Sequence, residues 1–137
     1  DASHHARYII DSSAYLTMEL DEEGSLIMEN VLERAKNGQT KLWMSCVQYG
    51  EVLYTIESVF GVSLMKESQL FIEQLPLSLE PVDTKQTERA ASYKARGGIS
   101  YPDCFAIALA KKHDACILTK DAEFKQFTDE VNIEWIK

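Results

Sequence analysis

The sequence is poor in basic residues and has no long apolar stretch. Its 137 residues carry 14 Lys and Arg against 22 Asp and Glu, which gives a formal net charge of −8. Because nonspecific nucleic-acid binding depends on Lys and Arg contacts to phosphates, this balance disfavours such binding unless metal ions or a local basic patch reverse the field. No apolar run approaches the ~18 residues of a membrane helix, so we expect no membrane span. No secretory leader is visible either.

Cysteine is also scarce, and its three residues form no CxxC pair. Cys46, Cys104 and Cys116 are odd in number and lie in apolar contexts, which predicts free, buried thiols. Such thiols are typical of a reducing cytosol, so we expect a cytoplasmic protein. A chain of this length buries roughly two thirds of its unfolded surface, and it needs neither a disulfide nor a structural metal to fold.

Strand-like and helical segments alternate along the chain, and no internal repeat or long linker divides it. Short β-rich runs are RYII, KLWMS, LSLEPV, ACILT and VNIEWI. Between them lie segments with apolar residues at helical spacing, several of them ended by glycine or proline. This alternation predicts an α/β fold with helices on both faces of a parallel sheet. We assign residues 7–137 to a single domain and residues 1–6, which are polar and aperiodic, to a disordered tail.

Four acidic residues stand where predicted elements begin or end: Asp11, Glu51, Asp103 and Asp121. Taken singly, each has a structural explanation. Asp11 and Asp121 follow strands and can cap the helices that come next. Glu51 falls at the edge of an apolar helical stripe, as a partly exposed charge. Asp103 completes a capping box with Ser100.

Considered jointly, the four acids indicate a metal site. In a parallel sheet the carboxyl ends of the strands lie along one edge, where such folds bind their ligands. All four carboxylates can converge there, and crowded carboxylates repel one another unless a cation lies among them. An all-oxygen ligand set suits hard ions such as Mg²⁺ or Mn²⁺. The sequence has no His or Cys cluster suited to zinc and no glycine-rich phosphate loop.

Four segments resemble the PIN domain in order, spacing and local pattern: YIIDSSAYL, SCVQYGEVLY, SYPDCFAIALA and ACILTKDAEF. The resemblance is closest to the VapC-type toxins of prokaryotic toxin–antitoxin pairs and runs from about Arg7 to Lys137. It implies a five-stranded parallel sheet in a three-layer α/β/α sandwich. It also implies hydrolysis of RNA phosphodiester bonds with Mg²⁺ or Mn²⁺ as cofactor, a cognate antitoxin and, often, a homodimer.

The resemblance assigns roles to particular residues. The family's catalytic, metal-binding acids fall on Asp11, Glu51, Asp103 and Asp121. Its hydroxyl beside the first acid falls on Ser12 or Ser13, and the hydroxyl before the last acid falls on Thr119. Lys120 departs from the small residue that is common in the family. It either brings a positive charge close to the scissile phosphate or pairs with Asp121 and weakens the site.

Two surfaces are expected to contact RNA and an antitoxin. Lys120 and Lys125 are the favoured phosphate contacts, whereas we expect ordinary solvated charges at Arg7, Lys111 and Lys112. Antitoxins of this type commonly carry a basic or amphipathic tail, and the apolar residues considered for its binding are Tyr15, Leu16, Leu26, Leu53 and Phe60. For most of these five, a core position at helical spacing is the favoured alternative.

Three other functions remain open from the sequence. A PIN ribonuclease of RNA processing or decay would have the same site, although the short chain favours the toxin. A catalytically inactive PIN-like binding module is disfavoured because all four acids are present. A receiver-like phospho-acceptor would need paired acids after the first strand, which Asp11-Ser12-Ser13 does not supply. The sequence leaves open the RNA target, the number of metal ions and which acid acts as a base.

Overall fold

The computed structural model describes residues 5–136. Its strands are β1 Arg7–Ile10, β2 Lys41–Ser45, β3 Ser78–Glu80, β4 Cys116–Thr119 and β5 Ile133–Trp135. Its helices are α1 Ser12–Glu19, α2 Ser25–Lys36, α3 Cys46–Phe60, α4 Val62–Glu73, α5 Thr84–Ala95 and α6 Tyr101–His113, and a 3₁₀ helix, Ala122–Phe127, lies between β4 and β5. The predicted alternation of strands and helices is confirmed.

The sheet has the strand order β3-β2-β1-β4-β5, and every neighbouring pair is parallel. The chain runs outward from β1 to β3 and then returns to place β4 on the other side of β1. The order therefore reverses between β1 and β4, and a crevice at such a point is where open parallel sheets bind ligands. The predicted five-stranded parallel sheet is confirmed.

Side chains alternate between the two faces of the sheet and build two cores. Ile9 and Ile117 point into the core formed with α5, α6 and the 3₁₀ helix. Ile10, Met44 and Leu118 point into the core formed with α1, α2, α3 and α4. Both faces are therefore covered, as expected for strands that read as apolar runs. This is the predicted three-layer α/β/α sandwich.

The five apolar residues considered for antitoxin binding divide between core and surface. Tyr15 is fully buried, so its assignment to a partner surface is wrong, because the side chain packs in the core beneath α1. Leu16 and Leu53 are half-buried. Leu26 and Phe60 are 71% and 52% exposed, and these two remain available to a partner.

The N-terminal boundary of the domain stays a prediction. Residues 1–4 of the expected tail lie outside the described part of the chain. His5 and Ala6 are described, and their carbonyl oxygens each accept a hydrogen bond at 2.9 Å, from Thr40 Oγ1 and from Lys41 N. These two residues therefore run beside the start of β2.

The three cysteines are free, as predicted; Cys104 and Cys116 are buried, whereas Cys46 is partly exposed. Among the helices of residues 5–136, none combines the length and the apolar character needed to cross a membrane.

Candidate metal centre

Asp11 and Thr119 occupy the carboxyl ends of the two central strands. Asp11 is 1% exposed and caps α1, because its Oδ1 accepts from Ala14 N and from Ser13 Oγ, both at 2.8 Å. Its Oδ2 accepts a short hydrogen bond from the Thr119 hydroxyl. Thr119 Oγ1 in turn accepts from the backbone N–H of Asp121 at 2.9 Å. The predicted cap at Asp11 is confirmed, and the neighbouring hydroxyls fix its carboxylate.

Glu51 reaches the same edge from α3. It is partly buried, as predicted, and its Oε1 accepts from Ser12 Oγ at 2.6 Å. Ser13 Oγ also accepts from the backbone N–H of Lys120 at 3.0 Å, which ties α1 to the segment after β4. The two serines beside the first acid therefore contact different carboxylates: Ser12 donates to Glu51, and Ser13 donates to Asp11.

Asp103 projects from the first turn of α6 and is 3% exposed. Its Oδ1 accepts from Gln48 Nε2 at 3.0 Å. Its Oδ2 is buried and has no hydrogen-bond partner in the part of the chain that the structure describes. The predicted capping box is wrong: Ser100 makes no side-chain cap bond, and its backbone N–H donates instead to Glu123 Oε1 at 2.7 Å. Asp103 is thus left to face the site.

The Asp103 carboxylate belongs to a cluster of three acids. One oxygen each from Asp103, Asp121 and Glu123 lies within 4.8 Å of the other two. Asp121 caps the 3₁₀ helix by accepting from Glu123 N at 2.9 Å, which confirms that predicted cap. An unpaired buried carboxylate oxygen is costly, and a shared proton or a cation would stabilise it. The donor set, which is all oxygen, fits a hard divalent ion.

The structure therefore groups the predicted acids differently from the sequence. Asp103 and Asp121 belong to the cluster of three, whereas Asp11 and Glu51 are held by hydroxyl groups. Asp11 is still close enough to interact electrostatically with Asp103 and Asp121. The sequence missed Glu123 as a candidate ligand. The available signal was its position two residues after Asp121, in the first turn of the helix that Asp121 was predicted to cap.

Burial perturbs the two most enclosed acids. Desolvation raises the pKa of Asp11 to about 6, although hydrogen bonds from Thr119, Ala14 and Ser13 oppose the shift. Desolvation, followed by the nearby Asp121 carboxyl group, raises the pKa of Asp103 well above its usual range. Without a cation both groups keep a proton to higher pH than an ordinary aspartate does, and a divalent ion placed among them would favour the ionised form.

The Asp11 shift predicts a pH-dependent stability difference between the metal-free wild type and Asp11→Asn. Between about pH 4, the usual aspartate value, and pH 6, folded Asp11 keeps a proton that the unfolded chain has lost. The free energy of unfolding of the wild type therefore falls across this window, while the variant lacks this contribution. Thermal melting in EDTA should show that the stability of Asp11→Asn, relative to that of the wild type, increases as pH rises. A difference that does not change with pH would contradict this assignment.

Lys120 lies at the rim of the site. Its Nζ donates to the carbonyl oxygen of Glu23 at 3.3 Å, and no ion pair with Asp121 forms among residues 5–136. Of the two roles considered for Lys120, the pairing that weakens the site is thus not observed. Lys111 and Lys112 are engaged in ion pairs with Glu130 and Glu80, as suits surface charges.

Comparison with known proteins identifies the family. The sequence pattern described as the PIN domain matches residues 8–130. The chain belongs to the PIN-domain family. Ribonuclease VapC of Mycolicibacterium smegmatis is 32% identical to this PIN domain over 124 residues, which cover 85% of this chain and 93% of that protein. Ribonuclease VapC30 of Mycobacterium tuberculosis is 32% identical over 128 residues, covering 88% and 94%.

Solved structures share the same architecture at low sequence identity. VapBC2 from Rickettsia felis, bound to a DNA fragment from its promoter, matches with a TM-score of 0.71 and 17% identity, covering 96% of this chain and 99% of that one. DNA-bound VapBC from Salmonella typhimurium matches with a TM-score of 0.71 and 18% identity, covering 97% and 100%. These matches confirm the fold of this PIN domain.

Proposed function

We propose that this PIN domain is an endoribonuclease that hydrolyses RNA phosphodiester bonds with Mg²⁺ or Mn²⁺, as the toxin of a toxin–antitoxin pair. The observation that carries the proposal is Asp103: its buried Oδ2 has no hydrogen-bond partner in the described chain, and its carboxylate clusters with those of Asp121 and Glu123. Relatives named ribonuclease VapC, 32% identical over most of the chain, support the reaction and its RNA substrate.

The ion would be held by Asp103, Asp121 and Glu123, with Asp11 and Glu51 completing the acidic wall of the crevice. A divalent cation bound there would polarise a phosphate oxygen and lower the pKa of a water molecule. The N-termini of α1 and α6 both lie at the proposed metal centre, and their helix dipoles favour the negative charge of the carboxylates there. The acids serve mainly as ligands in this proposal.

Hydroxyl groups keep two of the acids in position without competing for a cation. Thr119 and Ser13 donate to Asp11, and Ser12 donates to Glu51. Because a hydroxyl group is uncharged, these hydrogen bonds leave the negative charge of the carboxylates available to attract a metal ion. Lys120 and Lys125 are exposed near Asp121 and supply the positive charge that would contact the RNA backbone.

Removal of the metal is expected to stop RNA cleavage reversibly. Purified protein should cut end-labelled RNA in Mn²⁺ or Mg²⁺, lose at least about 10³-fold of its rate in EDTA, and recover when excess Mn²⁺ is restored, because the ion provides several kcal/mol of transition-state stabilisation. The measurement is the initial rate on a set of single-stranded and structured RNAs. Cleavage that continues unchanged in EDTA would contradict metal dependence.

We also infer a cognate antitoxin with a basic, amphipathic segment. A groove of about 400 Å³ runs between α1, α2 and α4. Its apolar residues are Met18, Leu64 and Phe71, and its acidic residues are Glu19, Glu29 and Glu67. Apolar contacts flanked by carboxylates complement a helix with one apolar and one basic face. Several structural neighbours of this fold are toxin–antitoxin complexes, which supports such a partner.

Phe71→Asp is expected to weaken capture of this antitoxin at least roughly 30-fold, because Phe71 is 48% exposed in the groove and a buried aromatic anchor contributes about 2 kcal/mol or more. Affinity is measured with an antitoxin that relieves the growth arrest caused by this protein. The matched control is Leu70→Asp, which changes a neighbour on α4 that is 60% exposed and does not line the groove. Equal losses in both variants would remove the groove from the proposal.

A homodimer and a cytoplasmic location complete the proposal. Exposed apolar side chains on α3 support a contact between two copies: Tyr54, Val59 and Phe60. The free thiols support a reducing compartment. A PIN ribonuclease of RNA processing would have the same site and is distinguished by growth: expression of a toxin arrests growth, and its antitoxin restores it.

A further inference from the structure

Gln48 is a buried side chain that joins three helices at the edge of the metal centre. It lies in the first turn of α3 and is 0% exposed. Its Oε1 accepts from the backbone N–H of Ser12, the first residue of α1, at 2.7 Å. Its Nε2 donates to Asp103 Oδ1, in the first turn of α6, at 3.0 Å.

The sequence around Gln48 would allow it to cap its own helix, α3, but its side-chain amide bonds to α1 and α6 instead. The sequence Ser45-Cys46-Val47-Gln48 has the form of a capping box. Ser45 does cap α3, with its Oγ accepting from Val47 N at 3.1 Å. The backbone N–H of Ser12 can only donate, so it must face Oε1. This leaves Nε2 for the Asp103 carboxylate, and the orientation of the amide is therefore dictated by its neighbours.

The two oxygens of Asp103 differ because only one of them accepts a hydrogen bond from Gln48. Oδ1 is occupied, whereas Oδ2 is buried and has no hydrogen-bond partner within residues 5–136, and the Asp103 carboxylate clusters with those of Asp121 and Glu123. We propose that Gln48 is a positioning residue that locks the Asp103 carboxylate so that Oδ2 alone is presented to a divalent cation. This inference rests on the proposed metal-dependent function.

The same amide also sets the spacing between two acids. Ser12 directly follows Asp11, so the bond from its N–H to Gln48 fixes the start of α1, and the bond from Gln48 to Asp103 fixes the start of α6. Neither acid can shift alone while both bonds hold. Buried groups that orient ligand side chains typically contribute 10- to 100-fold to metal affinity.

Gln48→Met tests the proposal, because methionine nearly matches the shape of glutamine and makes neither hydrogen bond. The matched control is Gln86→Met. Gln86 is also buried, and its Nε2 donates to Glu80 Oε2 and to Pro81 O, both at 3.1 Å. Neither partner belongs to the proposed metal centre. Calorimetry should show the dissociation constant for Mn²⁺ rising roughly 10- to 100-fold in Gln48→Met. In Gln86→Met it should stay within about twofold, since the Gln86 side-chain amide bonds to Glu80 and Pro81 and to none of the proposed metal ligands.

RNA cleavage supplies a second readout. Gln48→Met should lower kcat at saturating RNA and leave KM for RNA unchanged, since Gln48 is fully buried and does not contact the substrate. A variant that merely lost stability would match Gln86→Met in all of these measurements once both are folded. Equal Mn²⁺ affinity in the two variants would overturn the role of Gln48.

The outcomes separate this inference from the proposed function. If the wild-type protein binds no Mn²⁺, the metal site and the role of Gln48 both fall. If the wild type binds Mn²⁺ and Gln48→Met binds it equally well, only the role of Gln48 falls. Should Gln48→Met not fold, NMR of the wild type decides: the Gln48 side-chain amide signals should shift on Mg²⁺ addition with the calorimetric affinity, while those of Gln86 stay in place. Unshifted Gln48 signals would overturn the inference.

Discussion

Asp103→Asn is expected to bind Mn²⁺ at least about 100-fold more weakly than the wild type while folding normally. The asparagine Oδ1 can still accept from Gln48 Nε2. Its amide group takes the place of the unpaired Oδ2, and an amide N–H is attracted to the Asp121 carboxylate, which raises the pKa of the Asp103 carboxyl group. A charged ligand is therefore replaced by a neutral donor, and a hard cation loses a direct contact.

The same substitution should raise the stability of the metal-free protein. Replacing a buried, unpaired carboxylate oxygen by a hydrogen-bonded amide is expected to increase the free energy of unfolding in EDTA by about 1–3 kcal/mol. Calorimetric titration with Mn²⁺ and thermal melting in EDTA measure the two effects together. The control is Asp129→Asn, which removes one exposed acid and should change neither quantity. A variant that bound Mn²⁺ like the wild type would refute the role of Asp103.

Asp11→Ala is expected to lower the free energy of unfolding by about 2–4 kcal/mol relative to Asp11→Asn. Alanine removes the cap of α1, a loss of about 1 kcal/mol. It also leaves the buried hydroxyl of Thr119 and that of Ser13 without their acceptor, which costs about 1–3 kcal/mol. Asparagine retains an oxygen for Ala14 N and for Ser13 Oγ, so most of this network survives. Chemical denaturation of the two variants in EDTA measures the difference.

Asp83→Ala is the matched control for this effect. Asp83 caps α5 through a 2.8 Å bond from Gln86 N, but it is exposed. Its loss should cost only about 1 kcal/mol, the usual value for a cap. If Asp11→Ala and Asp83→Ala were equally destabilising, Asp11 would be a simple helix cap, and the hydroxyl network around it would contribute nothing measurable.

The layers of the fold were predictable because the apolar pattern of the central strands matches their burial on both faces of the sheet. Runs such as RYII and ACILT are apolar on both sides, which is expected only of strands buried on both faces. Asp11 and Asp121 were placed correctly as caps for a related reason, since each directly follows such a strand. The reversal of strand order between β1 and β4 then brings the ends of those strands together.

The local pattern at Asp103 predicted the wrong partner because a tertiary contact replaced it. Ser100 and Asp103 have the spacing of a capping box, yet the Ser100 N–H is bonded to Glu123, which is distant in sequence. Gln48 shows the same behaviour, with a capping-box spacing of its own and side-chain bonds to α1 and α6. Such bonds depend on how three helices pack, and spacing along one helix carries no information about them.

The most direct test of the account is the rate of RNA cleavage by Asp103→Asn beside that of the wild type and Asp129→Asn. All three are assayed at saturating RNA in Mn²⁺, on material shown by melting to be folded. We expect Asp129→Asn to match the wild type and Asp103→Asn to be slower by at least about 10³-fold, the loss expected when the ion is no longer held. Cleavage by Asp103→Asn at the wild-type rate would contradict a metal-dependent ribonuclease centred on the unpaired oxygen of Asp103.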